Sequence, residues 1–138
     1  MGCVTSWDDD YRTIMRCTLT APWSFDDIRA TEPDVYAQIR SNQHYIGMII
    51  HITEPFHLPT DALRNFQRQF ITQPDEVAMT VFVVKTSPMV NMLFGIIERI
   101  GRRGNHIVVR TENMDEARHF IYNHLDRVND RTRPGKTG

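Results

Sequence analysis

Apolar residues along the chain recur with two spacings, and the places where one gives way to the other divide it into strands and helices. Between Tyr11 and Thr20 every second residue matches: Tyr11, Thr13, Met15, Cys17 and Leu19 fall on one side, Arg12, Ile14, Arg16 and Thr18 on the other. That alternation predicts a strand whose two faces differ in cover. Val4–Trp7 precedes it as a shorter strand, and the acidic turn Asp8-Asp9-Asp10 between them predicts a β-hairpin. Ile46–Ile52 and Val77–Lys85 read differently, as almost unbroken apolar runs. Strands covered by helices on both faces have that composition. His106–Arg110 supplies a last short strand.

Between these strands the apolar spacing changes to that of a helix face. Ser24-Phe25-Asp26-Asp27 has the form of a capping box, and Thr31 with Pro33 and Asp34 gives a second start soon after it. Ile28, Val35, Tyr36 and Ile39 form the stripe, so a kinked helix, or a short helix followed by a longer one, is expected to end near Ser41-Asn42. Thr60 or Asp61 caps the next helix, whose stripe is Leu63, Phe66, Phe70 and Ile71. Ser87-Pro88 opens a third helix that is apolar on nearly every side, and Gly101-Arg102-Arg103-Gly104 closes it. Asn113-Met114-Asp115-Glu116 reads as a capping box for a final helix carrying Ala117, Phe120, Ile121 and Leu125. The order β-β-α-β-α-β-α-β-α predicts an α/β domain of three layers. Its sheet is mixed but mostly parallel, with about five strands, about four helices and an opening hairpin. Residues 1–129 form that single domain, and 130–138, rich in Arg, Pro, Gly, Lys and Thr, are expected to be a disordered tail.

Length and charge narrow the function classes. The 138 residues suffice for a core without staples. Sixteen basic against seventeen acidic side chains leave a net charge of -1, which lacks the basic excess of a nucleic-acid binder. No apolar run reaches the roughly 18 to 20 residues of a membrane span. Cys3 and Cys17 show no metal or redox spacing, so a reduced cytoplasmic protein is expected. Met1-Gly2-Cys3-Val4-Thr5-Ser6 fits the myristoylation pattern with a neighbouring cysteine open to palmitoylation, but the pattern constrains few positions and the stretch reads first as the ordinary lead into a first strand.

Candidate chemistry is sparse. His119 and His124 are five apart and do not share a helix face, while His51 and His57 have only Glu54 nearby, so no metal site is expected. No nucleophile elbow, phosphate loop or dinucleotide glycine pattern occurs. Without an acid–base pair or an activated nucleophile, no catalytic residue and no cofactor can be named, and the chain is not expected to be an enzyme. The stretch Tyr45–Phe70 stands out instead, because it joins a buried strand, a loop and the start of an amphipathic helix. In open α/β sheets ligands gather at the carboxyl ends of strands.

Pro22-Trp23-Ser24-Phe25-Asp26-Asp27, Gly47-Met48-Ile49-Ile50-His51-Ile52-Thr53, Leu58-Pro59-Thr60-Asp61-Ala62-Leu63 and Asp115-Glu116-Ala117-Arg118, taken with the element order, resemble the STAS superfamily of anti-sigma-factor antagonists and small STAS-like bacterial proteins. The resemblance spans roughly Tyr11 to Leu125. It implies a non-enzymatic protein-interaction or regulatory module, whose switch turn falls on Pro59-Thr60-Asp61-Ala62. Asp61 stands at the phosphoacceptor position, Ala62 replaces a glycine, and Thr60 retains a hydroxyl one residue away. Thr60 is therefore either an acceptor or a helix cap, and Asp61 already brings one negative charge to a helix N-terminus. Met89, Met92 and Phe94 on the apolar third helix suit a protein partner or a homodimer interface. The alternative is a carrier of a small apolar ligand or lipid, with walls at Phe56, Leu58, Met89 and Phe94.

Overall fold

The structure, a computed structural model, describes residues 2–102 and 106–132, with the side chains of 130–132 outside the description. In chain order the elements are β1 (Cys3–Trp7), β2 (Ile14–Leu19), α1 (Phe25–Arg40), β3 (Ile46–Ile52), α2 (Ala62–Thr72), β4 (Val77–Val83), α3 (Pro88–Ile100), β5 (Ile107–Thr111) and α4 (Met114–Thr132). β1 and β2 pair antiparallel, and β2 to β5 run parallel. The result is a mixed five-stranded sheet in the order β1-β2-β3-β4-β5, the α/β class that the apolar spacing predicts.

Strands that add to a sheet in sequence order through right-handed crossovers place every crossover helix on the same face. α1, α2 and α3 lie there, burying Phe25, Ile28, Val35, Ile39, Phe66, Phe70, Val90, Phe94 and Ile97 with the inward residues of the strands. The opposite face would be bare without α4, which returns over it and buries Ala117, Ile121, Leu125 and Val128 against Ile49, Met79, Val81 and Val83. Each strand of the centre thus has a covered face on both sides, which is why β3 and β4 are apolar almost throughout. β1 and β2 keep alternation because α4 packs on β3, β4 and β5, leaving Val4, Ser6, Arg16 and Thr18 exposed or half-exposed.

Contact between α4 and β3 is close enough to dictate a residue. A Cβ on Gly47 would stand 2.3 Å from Ile121 Cγ2, so only glycine lets the helix sit at this depth. The helix is also fixed at both ends. Near its start, Arg118 Nε donates to Asp8 Oδ2 at 2.7 Å and its Nη2 to Asp8 Oδ1 at 3.1 Å, while Arg16 lies 3.3 Å from the same carboxylate. Farther along, Asn129 Oδ1 accepts the Tyr45 N–H at 3.1 Å.

Phe82 of β4 is the centre of the three-helix face. Its ring meets Phe66 at 5.1 Å, Phe94 at 5.0 Å and Phe70 at 6.5 Å, all steeply inclined. Phe66 in turn meets Phe25 at 5.1 Å. Edge-to-face pairs of this kind add to the gain from burial itself. A second tie joins the far edge, where His106 Nδ1–H donates to the Gly101 carbonyl at the end of α3. Its Nε2 then accepts from Thr80 at 3.0 Å and Gln73 at 3.1 Å. Burial, with the nearby His124 adding, lowers the His106 pKa against the opposing pull of the Gly101 bond.

Local expectations fare unevenly. Ser24 and Asp27 form the full capping box, and Ser87 caps α3 by accepting the Val90 N–H at 3.1 Å, with Pro88 in the first turn. α1, by contrast, is one helix rather than two. Pro33 lies inside it, and Thr31 caps nothing: its hydroxyl donates to the Ile28 carbonyl at 2.7 Å. Burial of Ile28 before Pro33 and of Val35 and Ile39 after it on one core outweighs the bond that proline forfeits. At α4 the box is only half present, since Asn113 accepts the Glu116 N–H while the Glu116 carboxylate takes the Thr111 hydroxyl. α4 continues through Thr132, into the stretch where composition predicts a disordered tail, and residues 133–138 lie outside the described residues.

Two outcomes follow from the seat of α4. Gly47→Val should lower unfolding stability by on the order of 2 kcal/mol in urea titrations, because Ile121 has nowhere to move; an unchanged midpoint would contradict the contact. Asp8 is held below the usual carboxylate range, chiefly by the Arg118 hydrogen bond. A depressed carboxyl stabilises the fold above the unfolded value and loses that contribution as pH falls. The stability gap between wild type and Asp8→Asn should therefore be full above roughly pH 4 and close as the pH falls below it.

Candidate functional site

The connection from β3 to α2 crosses the carboxyl end of the sheet and is tied to it at several points. Thr53 donates from both its N–H and its hydroxyl to the Leu19 carbonyl, each at 3.0 Å, which holds the chain against the end of β2. Trp23, just before α1, donates Nε1–H to the His57 carbonyl at 2.9 Å, and His57 Nε2 donates back to the Trp23 carbonyl at 3.2 Å. Their rings meet edge-on at 6.1 Å. Trp23 also packs on Phe25 at 5.2 Å, so the aromatic chain that organises the core reaches the loop directly. Phe56 and Leu58 point the same way and pack against that core.

Past the anchored part, the turn is exposed. Thr60 and Asp61 are both at the surface, with Pro59 half-buried before them. Asp61 occupies the N-cap of α2 in the left-handed conformation, φ 63° and ψ 31°, and its carboxylate makes no capping bond. Neither Thr60 nor Asp61 caps the helix as the sequence suggests, because a capping side chain needs extended backbone at that position. The first turn of α2 also lacks an acidic residue. Among the described residues the Asp61 side chain thus leaves the amides of that turn uncapped, at a helix N-terminus where anions are favoured.

At the carboxyl ends of β3 and β4 lies an open groove of about 380 Å³, lined by His51, Ile52, Thr53, Glu54, Val83, Val84, Lys85 and Glu112. The Glu112 carboxylate accepts the Thr86 N–H, and that bond holds it below the usual carboxylate range. Burial, with the Arg16 charge adding, lowers the His51 pKa. Among the described residues no hydrogen bond joins His51, Glu54 and Lys85 into a proton relay, and no group of three His, Cys, Asp or Glu side chains is gathered for a metal ion.

On the helical side, Met89 and Met92 are 51% and 65% exposed, whereas Phe94 is 0% exposed against Phe82 and drops out of the expected interface set. A helix with one face on the core cannot present both Met92 and Phe94 outward. The same burial spends Phe94 on the core instead of on the wall of a ligand space. Ile71, expected in the buried stripe of α2, is 58% exposed and joins the methionines as surface apolar area. No helix among the described residues is long and apolar enough to cross a membrane.

Cys3 and Cys17 are the residues the sequence reading passes over. Their sequence spacing resembles no motif, yet the β1–β2 register places both on one face of the hairpin with Sγ atoms 3.3 Å apart. The alternation from Tyr11 to Thr20, extended across the turn, carried that signal. Gly2 is packed as well: its carbonyl accepts the Thr20 N–H at 2.8 Å, and a Cβ there would stand 2.6 Å from Trp23 Cβ. Cys3, with its sulfur turned toward Cys17, is buried and not presented for acylation. No family model matches the chain, and no curated protein or solved structure matches it either.

The left-handed Asp61 offers a direct check on the turn. Asp61→Gly should raise stability by about 0.5–1 kcal/mol in thermal or urea melts, since glycine accepts this φ without strain. A loss of stability would mean that the carboxylate does more at this turn than its geometry indicates.

Proposed function

We propose that the chain is a non-enzymatic, STAS-like interaction module of the cytoplasm, which presents the turn Pro59-Thr60-Asp61 and the adjoining outer surface of α2 and α3 to a protein partner. A second copy of the chain is one such partner. The observation that carries this reading is the uncapped, exposed start of α2: a hydroxyl at Thr60 and a carboxylate at Asp61 stand beside helix amides that have no side-chain acceptor. A phosphate on Thr60 would add nearly two negative charges there and could be received by those amides. Phosphorylation would thus pull the turn toward its own helix and repel an acidic partner. Met89 and Met92, exposed in the first turns of α3, supply apolar contact area. Methionine suits such a surface because its flexible thioether adapts to a partner's shape.

Two measurements test the module. Sedimentation equilibrium should find concentration-dependent dimers, weakened at least about tenfold in Met92→Asp by the cost of burying a charge; a monomer at every concentration would remove self-association. Incubation with kinases from the source cell should place phosphate on Thr60, and Thr60→Ala should abolish it. A wild-type chain left unmodified by all of them would remove the switch, and robust turnover in a broad hydrolase screen would overturn the non-enzymatic assignment.

A further inference from the structure

We propose that Cys3 and Cys17 form a modification site, a buried thiol pair that hydrogen peroxide converts into an intramolecular disulfide. The two thiols are free. They sit diagonally across the hairpin, since Cys3 pairs with Leu19 and Cys17 with Thr5. Their sulfurs are nevertheless 3.3 Å apart, roughly 1.2 Å beyond the length of a covalent S–S bond. Closing that gap asks for movement of one strand only. β1 is an edge strand with β2 as its single neighbour in the sheet. Edge strands open locally more readily than strands paired on both sides, which gives a small oxidant access to Cys3. Cys17 also lines a cavity of about 20 Å³ with Met15, Val35, Met48 and Gln69, so the hairpin adjusts without compressing a fully packed core.

The pair is chemically unequal. Cys17 lies within the sheet between β1 and β3, where its bond to Cys3 and its burial push its thiol well above the ordinary value. Cys3 is shifted the other way by the hydrogen bond from Cys17, against burial and the Asp27 charge. Thiolate character therefore concentrates on Cys3, and the thiolate is the nucleophile. Cys3 sulfur attacks one peroxide oxygen. An S–O bond forms, the O–O bond breaks, and the departing hydroxide takes the thiol proton to leave as water. Cys17 sulfur then attacks the Cys3 sulfenic sulfur, the S–O bond breaks, and its oxygen leaves as a second water with the Cys17 proton. Two thiols and one hydrogen peroxide give one disulfide and two waters. A dithiol reductant reverses the change. In a reducing compartment a disulfide of this kind is a transient mark, not a structural staple.

The experiment exposes the folded chain to hydrogen peroxide, unfolds it in denaturant, alkylates with N-ethylmaleimide and reads the intact mass. The expected product has lost about 2 Da, takes up no maleimide, remains monomeric on a non-reducing gel, and recovers both thiols after dithiothreitol. In Cys17→Ser the same dose should add about 16 or 32 Da at Cys3, because no second sulfur traps the sulfenic acid. Cys3→Ser should lose oxidant at least about tenfold more slowly than wild type. Retention of two alkylatable thiols in wild type, at a dose that oxidises free cysteine in the same tube, would overturn the proposal. So would oxygen addition without the disulfide, or a disulfide only between chains. The wild-type result decides the matter even where a serine variant fails to fold.

Discussion

The whole fold rests on how α4 is seated. A sheet that grows in sequence order through right-handed crossovers collects its connecting helices on one face. The second face then depends on whatever follows the last strand. Here that is α4, and the contact that lets it approach is the missing side chain of Gly47 beneath Ile121. Ile49, Met79, Val81 and Val83 are buried only because this helix arrives. The cost of leaving such a strip wet, at roughly 25 cal/mol per Å² of apolar surface, exceeds the contribution of any single polar bond in the molecule. Asp8 and its arginines set direction more than strength. They hold the helix start against the hairpin turn, so β1, β2 and α4 are positioned together.

On the other face the same dependence takes aromatic form. Phe82 is touched by Phe66 and Phe70 from α2 and by Phe94 from α3, while Phe25 and Trp23 extend the chain of rings to the start of α1. Because Trp23 and His57 exchange hydrogen bonds, the loop after β3 inherits the rigidity of the core. Thr60 and Asp61 follow that anchor at the surface, where the Asp61 carbonyl accepts from the Asn65 N–H and side-chain amide.

Much of this was legible in the amino acids, and the pattern of successes is physical. The almost unbroken apolar runs of β3 and β4 report cover on both faces, and the alternation in β2 reports a strand with one face left partly open. Ser24 and Ser87 were readable because capping is a local bond between residues three apart. What escaped were features decided at long range. Pro33 reads as a boundary because its own bond is lost, yet burial of Val35 and Ile39 carries the helix through it. Phe94 and Met92 look alike in composition, and only the direction of the helix separates core from surface. Asp8 and Arg118 are far apart in the chain, and Asp8-Asp9-Asp10 by itself reads as a solvated turn. Cys3 and Cys17 meet through hairpin register, which no cysteine-spacing rule contains.

Topology also bears on where function can reside. Deep ligand crevices in open α/β sheets form where the strand order reverses and neighbouring connections part to opposite faces. The order β1-β2-β3-β4-β5 never reverses, so the connections after β3 and β4 leave on one side and create no switch point of that kind. What remains at the carboxyl ends is an open groove bordered by His51, Glu54, Lys85 and Glu112, without the enclosure that excludes water from a reacting pair. Catalysis by the usual acid–base or oxyanion routes draws on that enclosure. Recognition of a protein surface does not, because the partner itself supplies the missing wall. A monotonic sheet thus leaves the carboxyl ends of β3 and β4 open, and the interaction surface proposed at Pro59-Thr60-Asp61, Met89 and Met92 draws on exposure rather than on enclosure.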